Sequence, residues 1–138
     1  LLLNACGLLL CWYLTFIDWN IWQWIWRILF LSSGISIGFI WLQPDLGWYV
    51  GFSGVLFGLY ILAAVSTITA QPIMSYLLML FVVIKILLEQ FTALNLDSSE
   101  LIGVPVLVDA HLYGVLSAFC LVMFEYAYRS MKGQFEAL

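Results

Sequence analysis

The stretch Trp48-Tyr49-Val50-Gly51-Phe52-Ser53-Gly54-Val55-Leu56-Phe57-Gly58-Leu59-Tyr60 sets a serine between two glycines, where a polar turn runs into a long apolar segment. The turn before it, Gln43-Pro44-Asp45-Leu46-Gly47, contains two helix breakers, so a new helix is expected to start near Ser53. The first turn of a helix carries backbone N–H groups without intrahelical acceptors, at the positive end of the dipole. A hydroxyl placed there can attack a carbonyl while those donors hold the developing oxyanion. Serine alone is a poor nucleophile and needs a base. The chain has one histidine, His111, which also stands where a polar loop enters an apolar segment.

Working outward, 65% of the 138 residues are hydrophobic and 9% are charged. Soluble domains carry about 25% charge, and a chain of this length cannot hide so much apolar surface from water. An all-α integral membrane bundle in a lipid bilayer is expected. Four Lys and Arg, scattered along the chain, argue against nucleic-acid binding. Cys6, Cys11 and Cys120 lie in apolar runs, odd in number and without zinc spacing, and read as small buried residues. With one histidine, a metal site is not expected. Leu1 stands inside an apolar run with no basic region before it, so an earlier segment is expected to be missing.

Five segments are expected to cross the bilayer, a span of about 20 apolar residues. They run from Leu1 to Ile17, Ile21 to Leu42, Ser53 to Ser66, Pro72 to Phe91 and Asp109 to Tyr128, the last followed by a short amphipathic tail. The whole chain, 1–138, reads as one domain. Arg27, Arg129 and Lys132 fall on one side of such a bundle, expected to be cytoplasmic. Ser53 and His111 then both start helices from the opposite, outer face. Trp19, Trp22, Trp24 and Trp26 read as an interfacial belt, with Trp48 and Tyr49 as its outer counterpart.

A serine beside glycines in a membrane helix is often only a packing surface for a neighbouring helix. A histidine in an apolar segment is costly and points to function. Gly54 and Gly58 on one helix, and Gly114 and Ala118 on the other, form small faces that let two backbones meet. Phe57, four residues after Ser53, shares its face and can stack on the imidazole; the alternative is plain core or lipid contact. Asp109 is two residues from His111 and faces elsewhere on a helix, so it reads as an N-cap, leaving a Ser–His dyad without a carboxylate. Lys85 with Glu89, and Glu125 with Arg129, have i,i+4 spacing and read as structural pairs; a proton pathway or substrate contact is the alternative for them.

Gly51-Phe52-Ser53-Gly54 starting one helix, with Ala110-His111-Leu112-Tyr113-Gly114 starting the last, resembles the rhomboid family of intramembrane serine proteases. The longer stretch from Trp48 to Leu59 looks like the rhombosortase branch, with Phe57 where that branch commonly has histidine and Ala118 where a glycine is expected. The resemblance implies six core helices, one of them lacking here at the N-terminus. It implies Ser53 and His111 as the catalytic pair, Asn4 in the oxyanion hole, and Gly51, Gly54, Phe57 and Gly114 in support. From the residues alone, Asn4 would be an ordinary polar residue near a helix start. The resemblance also implies no cofactor, a bacterial inner-membrane location with the site facing outward, and transmembrane protein substrates, for the branch those with a C-terminal Gly-Gly type sorting tail. Two other readings stay open: a rhomboid-like protein that binds transmembrane clients without cutting, and a small transporter or channel subunit using Lys85 and Glu89. The transporter reading needs Ser53 and His111 far apart.

Overall fold

The computed structural model describes residues 2–45, 51–91 and 108–135. The described residues form five helices: α1 (Leu2–Thr15), α2 (Ile21–Leu42), α3 (Ser53–Thr67), α4 (Pro72–Phe91) and α5 (Asp109–Phe135). Three of them, α2, α4 and α5, are long and apolar enough to cross a membrane. Of the other two, α1 is shorter than the expected Leu1–Ile17, and α3 keeps its expected bounds to within one residue, but neither has the length of a full span. With 14 and 15 residues, α1 and α3 reach only about 21–23 Å at 1.5 Å per residue, against a hydrocarbon core of about 30 Å. The last helix is longer than expected and runs to Phe135, taking in the segment read as an amphipathic tail. Trp48, Tyr49 and most of the loop from Thr92 to Val108 lie outside the described residues.

Local chemistry sets the helix ends. Asn20 caps α2: its side chain accepts from the Gln23 N–H, and the Gln23 side chain accepts from the Asn20 N–H, a reciprocal capping box. Gln43 closes α2 by donating its backbone N–H to Phe39, one residue before Pro44. Pro72 opens α4, where its missing N–H leaves no bond unmade. The link from α3 to α4 is held by Thr67, whose hydroxyl donates to the Ala63 carbonyl and lies 3.0 Å from the Ser75 hydroxyl.

The core is built around α3, which is buried from Gly54 to Ala64 without a break. A helix apolar on every face belongs in the centre of a bundle. Its most extensive neighbour is α5, followed by α4 and α1. Glycines set the closest approaches. A Cβ on Gly58 would sit 2.8 Å from the Gly114 carbonyl oxygen, and one on Gly38 would sit 2.8 Å from the Tyr113 ring. Ala118 is fully buried further along the same α5 face. Leu, Ile, Phe, Trp and Tyr side chains stand exposed along the outer sides of α1, α2, α4 and α5, which is the surface a bilayer would cover.

Two surface assignments change. Trp19 is buried, donates its indole N–H to Ser66 at 3.0 Å and packs edge-on against Trp24, so it anchors the core instead of joining Trp22 and Trp26 on the surface. Cys11 is buried as expected, but Cys6 and Cys120 are exposed on the outer sides of their helices.

Candidate active site

Ser53 is the first residue of α3 and half-buried. Its preceding residue, Phe52, supplies no side-chain cap to the first-turn N–H groups. His111 lies in the first turn of α5 and is only 4% exposed. The two meet: His111 Nε2 is 3.0 Å from Ser53 Oγ. Phe57, one turn into α3, lies flat against the imidazole, with centroids 4.4 Å apart and planes 18° from parallel. The ring is thereby fixed on one face. Phe57 is itself packed against Tyr60 and Phe81.

The close approach of α3 and α5 comes from the expected small residues. A Cβ on Gly54 would stand 2.6 Å from the Ala110 carbonyl oxygen, and one on Gly114 would run into the Gly54 carbonyl. Gly51 lies just outside α3 and is exposed. Asn4 is half-buried on α1. One turn further along α1, Gly7 packs against Leu56 and Tyr60 of α3. Trp19, just past α1, meets Ser66 near the end of α3, so α1 and α3 run in the same direction.

A carboxylate does serve the histidine, contrary to expectation, and it comes from α4. Glu89 Oε2 is 2.7 Å from His111 Nδ1, and its other oxygen is 2.9 Å from Lys85 Nζ. The i,i+4 pair is present as expected, but it does not exhaust Glu89, because a carboxylate has two oxygens to share. Glu89 and His111 are both almost fully buried here. Asp109 is not an N-cap standing ahead of the helix; it is the first residue of α5. Its carboxylate accepts from the side-chain amides of Gln43, which caps the end of α2, and Gln90 on α4, the latter at 3.3 Å. Asp109 therefore ties three helices together beside the site.

The opposite end of the bundle carries a second polar cluster. Arg27 is buried in α2, pairs with Glu125 of α5 at 3.1 Å and stacks over Trp19 at 4.2 Å. Glu125 also has its expected i,i+4 neighbour Arg129, but at 3.8 Å and with Arg129 largely exposed. The closer partner is the one 98 residues away. Arg27 Nε and Nη1 have no acceptor among the described residues. An open cleft of about 470 Å³ adjoins this cluster, lined in part by Asp18, Gln23, Ser66 and Arg129.

Two features escaped sequence reasoning: the Glu89–His111 contact and the Arg27–Glu125 pair. For each, the available signal was a charged residue in an apolar helix, which must find a partner somewhere. Comparison with protein-family models, curated proteins and solved structures returned no match.

Proposed function

We propose that this chain is an intramembrane serine endopeptidase of the rhomboid type. The observation that carries this reading is the 3.0 Å contact between Ser53 Oγ and His111 Nε2, at the adjoining ends of two apolar helices. Ser53 Oγ bonds to the substrate carbonyl carbon as its proton passes to Nε2. The tetrahedral oxyanion is held by the Ser53 backbone N–H and the Asn4 side-chain amide. Collapse breaks the C–N bond, and Nε2 returns the proton to the leaving amine. A water molecule, activated by the same nitrogen, then releases the acyl group from Ser53. Gly54 and Gly114 permit the helix approach, Gly51 the close passage of substrate backbone, and Phe57 the ring orientation.

The substrates in this reading are membrane proteins cut in or next to a transmembrane segment. The rhombosortase resemblance narrows them to proteins with a C-terminal Gly-Gly type sorting tail, processed at the outer face of a bacterial inner membrane. The transporter reading loses its support, because Glu89 is engaged by His111 as well as Lys85 and the Ser53–His111 pair is in contact.

The test is cleavage of a tagged transmembrane client in membranes, with Ser53→Ala and His111→Ala alongside. Product that both substitutions abolish is the expected result. Cleavage of a generic transmembrane substrate but not a Gly-Gly-tailed one would keep the protease and remove the branch. Equal client binding by wild type and both variants, without product, would favour the non-catalytic reading.

A further inference from the structure

We propose that Glu89 is a positioning residue that fixes the tautomer of His111, with Lys85 fixing which way Glu89 can serve it. This rests on reading Ser53 and His111 as nucleophile and base. An ionised carboxylate only accepts hydrogen bonds. At 2.7 Å from Glu89 Oε2, His111 Nδ1 therefore carries the ring proton and donates it. Nε2 is left with its lone pair towards Ser53 Oγ, which is the form that can take the serine proton. When that proton arrives, the imidazolium forms beside a carboxylate already in place. The same contact that orients the ring thus opposes the charge that develops on it.

Lys85 makes the arrangement directional. It sits one turn before Glu89 on α4, and its ammonium group, a donor only, holds the second carboxylate oxygen at 2.9 Å. Its side chain is a quarter exposed where that of Glu89 is nearly buried, so the charge of the carboxylate is balanced without a second buried cation. The neighbouring carboxylate, Asp109, is engaged by Gln43 and Gln90, which leaves Glu89 as the anion on the ring.

This geometry makes an uncommon prediction about Glu89→Gln. The amide oxygen of the substituted side chain is claimed by the Lys85 ammonium, so its NH₂ is turned towards His111 Nδ1. Nδ1 must then accept, the ring proton moves to Nε2, and Nε2 can no longer take the serine proton. Glu89→Gln is thus expected to be worse than Glu89→Ala, and Lys85→Met added to Glu89→Gln is expected to recover activity by freeing the amide to rotate. A purely structural Lys85–Glu89 pair gives neither result.

Two measurements test this on the full chain in lipid. The first is 15N NMR of the single histidine, which reports its tautomer whether or not the protein cuts anything. The neutral ring should be protonated at Nδ1 in wild type and at Nε2 in Glu89→Gln. An unchanged tautomer would overturn the proposal. The second is turnover of a transmembrane substrate. Glu89→Gln should lower kcat by at least about 10²-fold, as wrong-tautomer variants of serine proteases do, with KM within about twofold, and Glu89→Asp should retain more activity than Glu89→Gln. Turnover by Glu89→Gln within threefold of wild type, with Ser53→Ala inactive, would overturn the role of Glu89 and leave the protease reading intact. Full activity in Ser53→Ala would instead overturn the protease reading, and the tautomer measurement would still decide what Glu89 does to His111.

Discussion

Gly114 lies against the main chain of Gly54, so neither helix can carry a methyl group at this crossing without the other moving. Ser53 and His111 stand next to this crossing, on the same two helices. The distance between the two side chains is therefore set largely by backbone contact.

The first expectation concerns that crossing. Gly114→Ala should separate α3 and α5 and cost about 1–3 kcal/mol of stability, the range for overpacking a tight core. Activity should fall further than stability accounts for, because a shift of about 1 Å between reacting groups can cost about 10²-fold. Thermal unfolding in detergent, read beside cleavage at a temperature where the variant is folded, checks this. Wild-type turnover with an unchanged melting point would mean that the contact is not tight.

Phe57 should tolerate aromatic replacement better than aliphatic. Aromatic stacking of this kind contributes about 0.5–1.5 kcal/mol beyond buried area. Phe57→Tyr should keep most activity, whereas Phe57→Ala should lose about tenfold or more through a loosened ring. A comparison of kcat for the two variants decides it, and equal values would argue against a role for stacking.

Asp109 should behave as a tie. Asp109→Ala leaves the Gln43 and Gln90 amides without their acceptor and should destabilise by about 1–3 kcal/mol. The folded fraction should retain kcat within about tenfold. A collapse in kcat with an unchanged melting point would show that Asp109 acts in the reaction and not as a tie.

At the far end, Arg27 and Glu125 should show strong coupling. Removing Glu125 alone strands a buried guanidinium; with Glu125 about a third exposed, a loss of about 2–4 kcal/mol is expected, towards the low side of fully buried pairs. The double variant Arg27→Met with Glu125→Leu should be more stable than Glu125→Leu alone. A double-mutant cycle by thermal unfolding measures this, and additive effects would exclude the coupling.

The helical architecture was readable because its signals are local. Gln43-Pro44 marks the end of α2 and Pro72 the start of α4, and each acts within a few residues. Ser53 and His111 were legible because each stands alone at a helix start, and the small faces at Gly54 and Gly114 indicated which helices meet. The Lys85–Glu89 pair was legible, but the second partner of Glu89 was missed, because Lys85 offered a sufficient local explanation while that partner lies 22 residues on and on another helix. Arg27 shows the same difficulty over 98 residues. α1 and α3 were expected to span the bilayer although their helices have 14 and 15 residues, because apolar composition says where a segment can be buried. It does not say whether lipid or protein covers it.

The enclosure of α3 has a consequence for how the protein would answer to its membrane. Helices that touch lipid adjust to hydrophobic thickness mainly by tilting, and that adjustment falls on α1, α2, α4 and α5, whose outer sides are lined with exposed apolar residues. Surrounded by other helices, α3 does not meet lipid along Gly54–Ala64, and its glycine contact with α5 makes these two helices move together. A thicker or thinner bilayer would leave Ser53 and His111 in contact while changing how α4 presents Glu89.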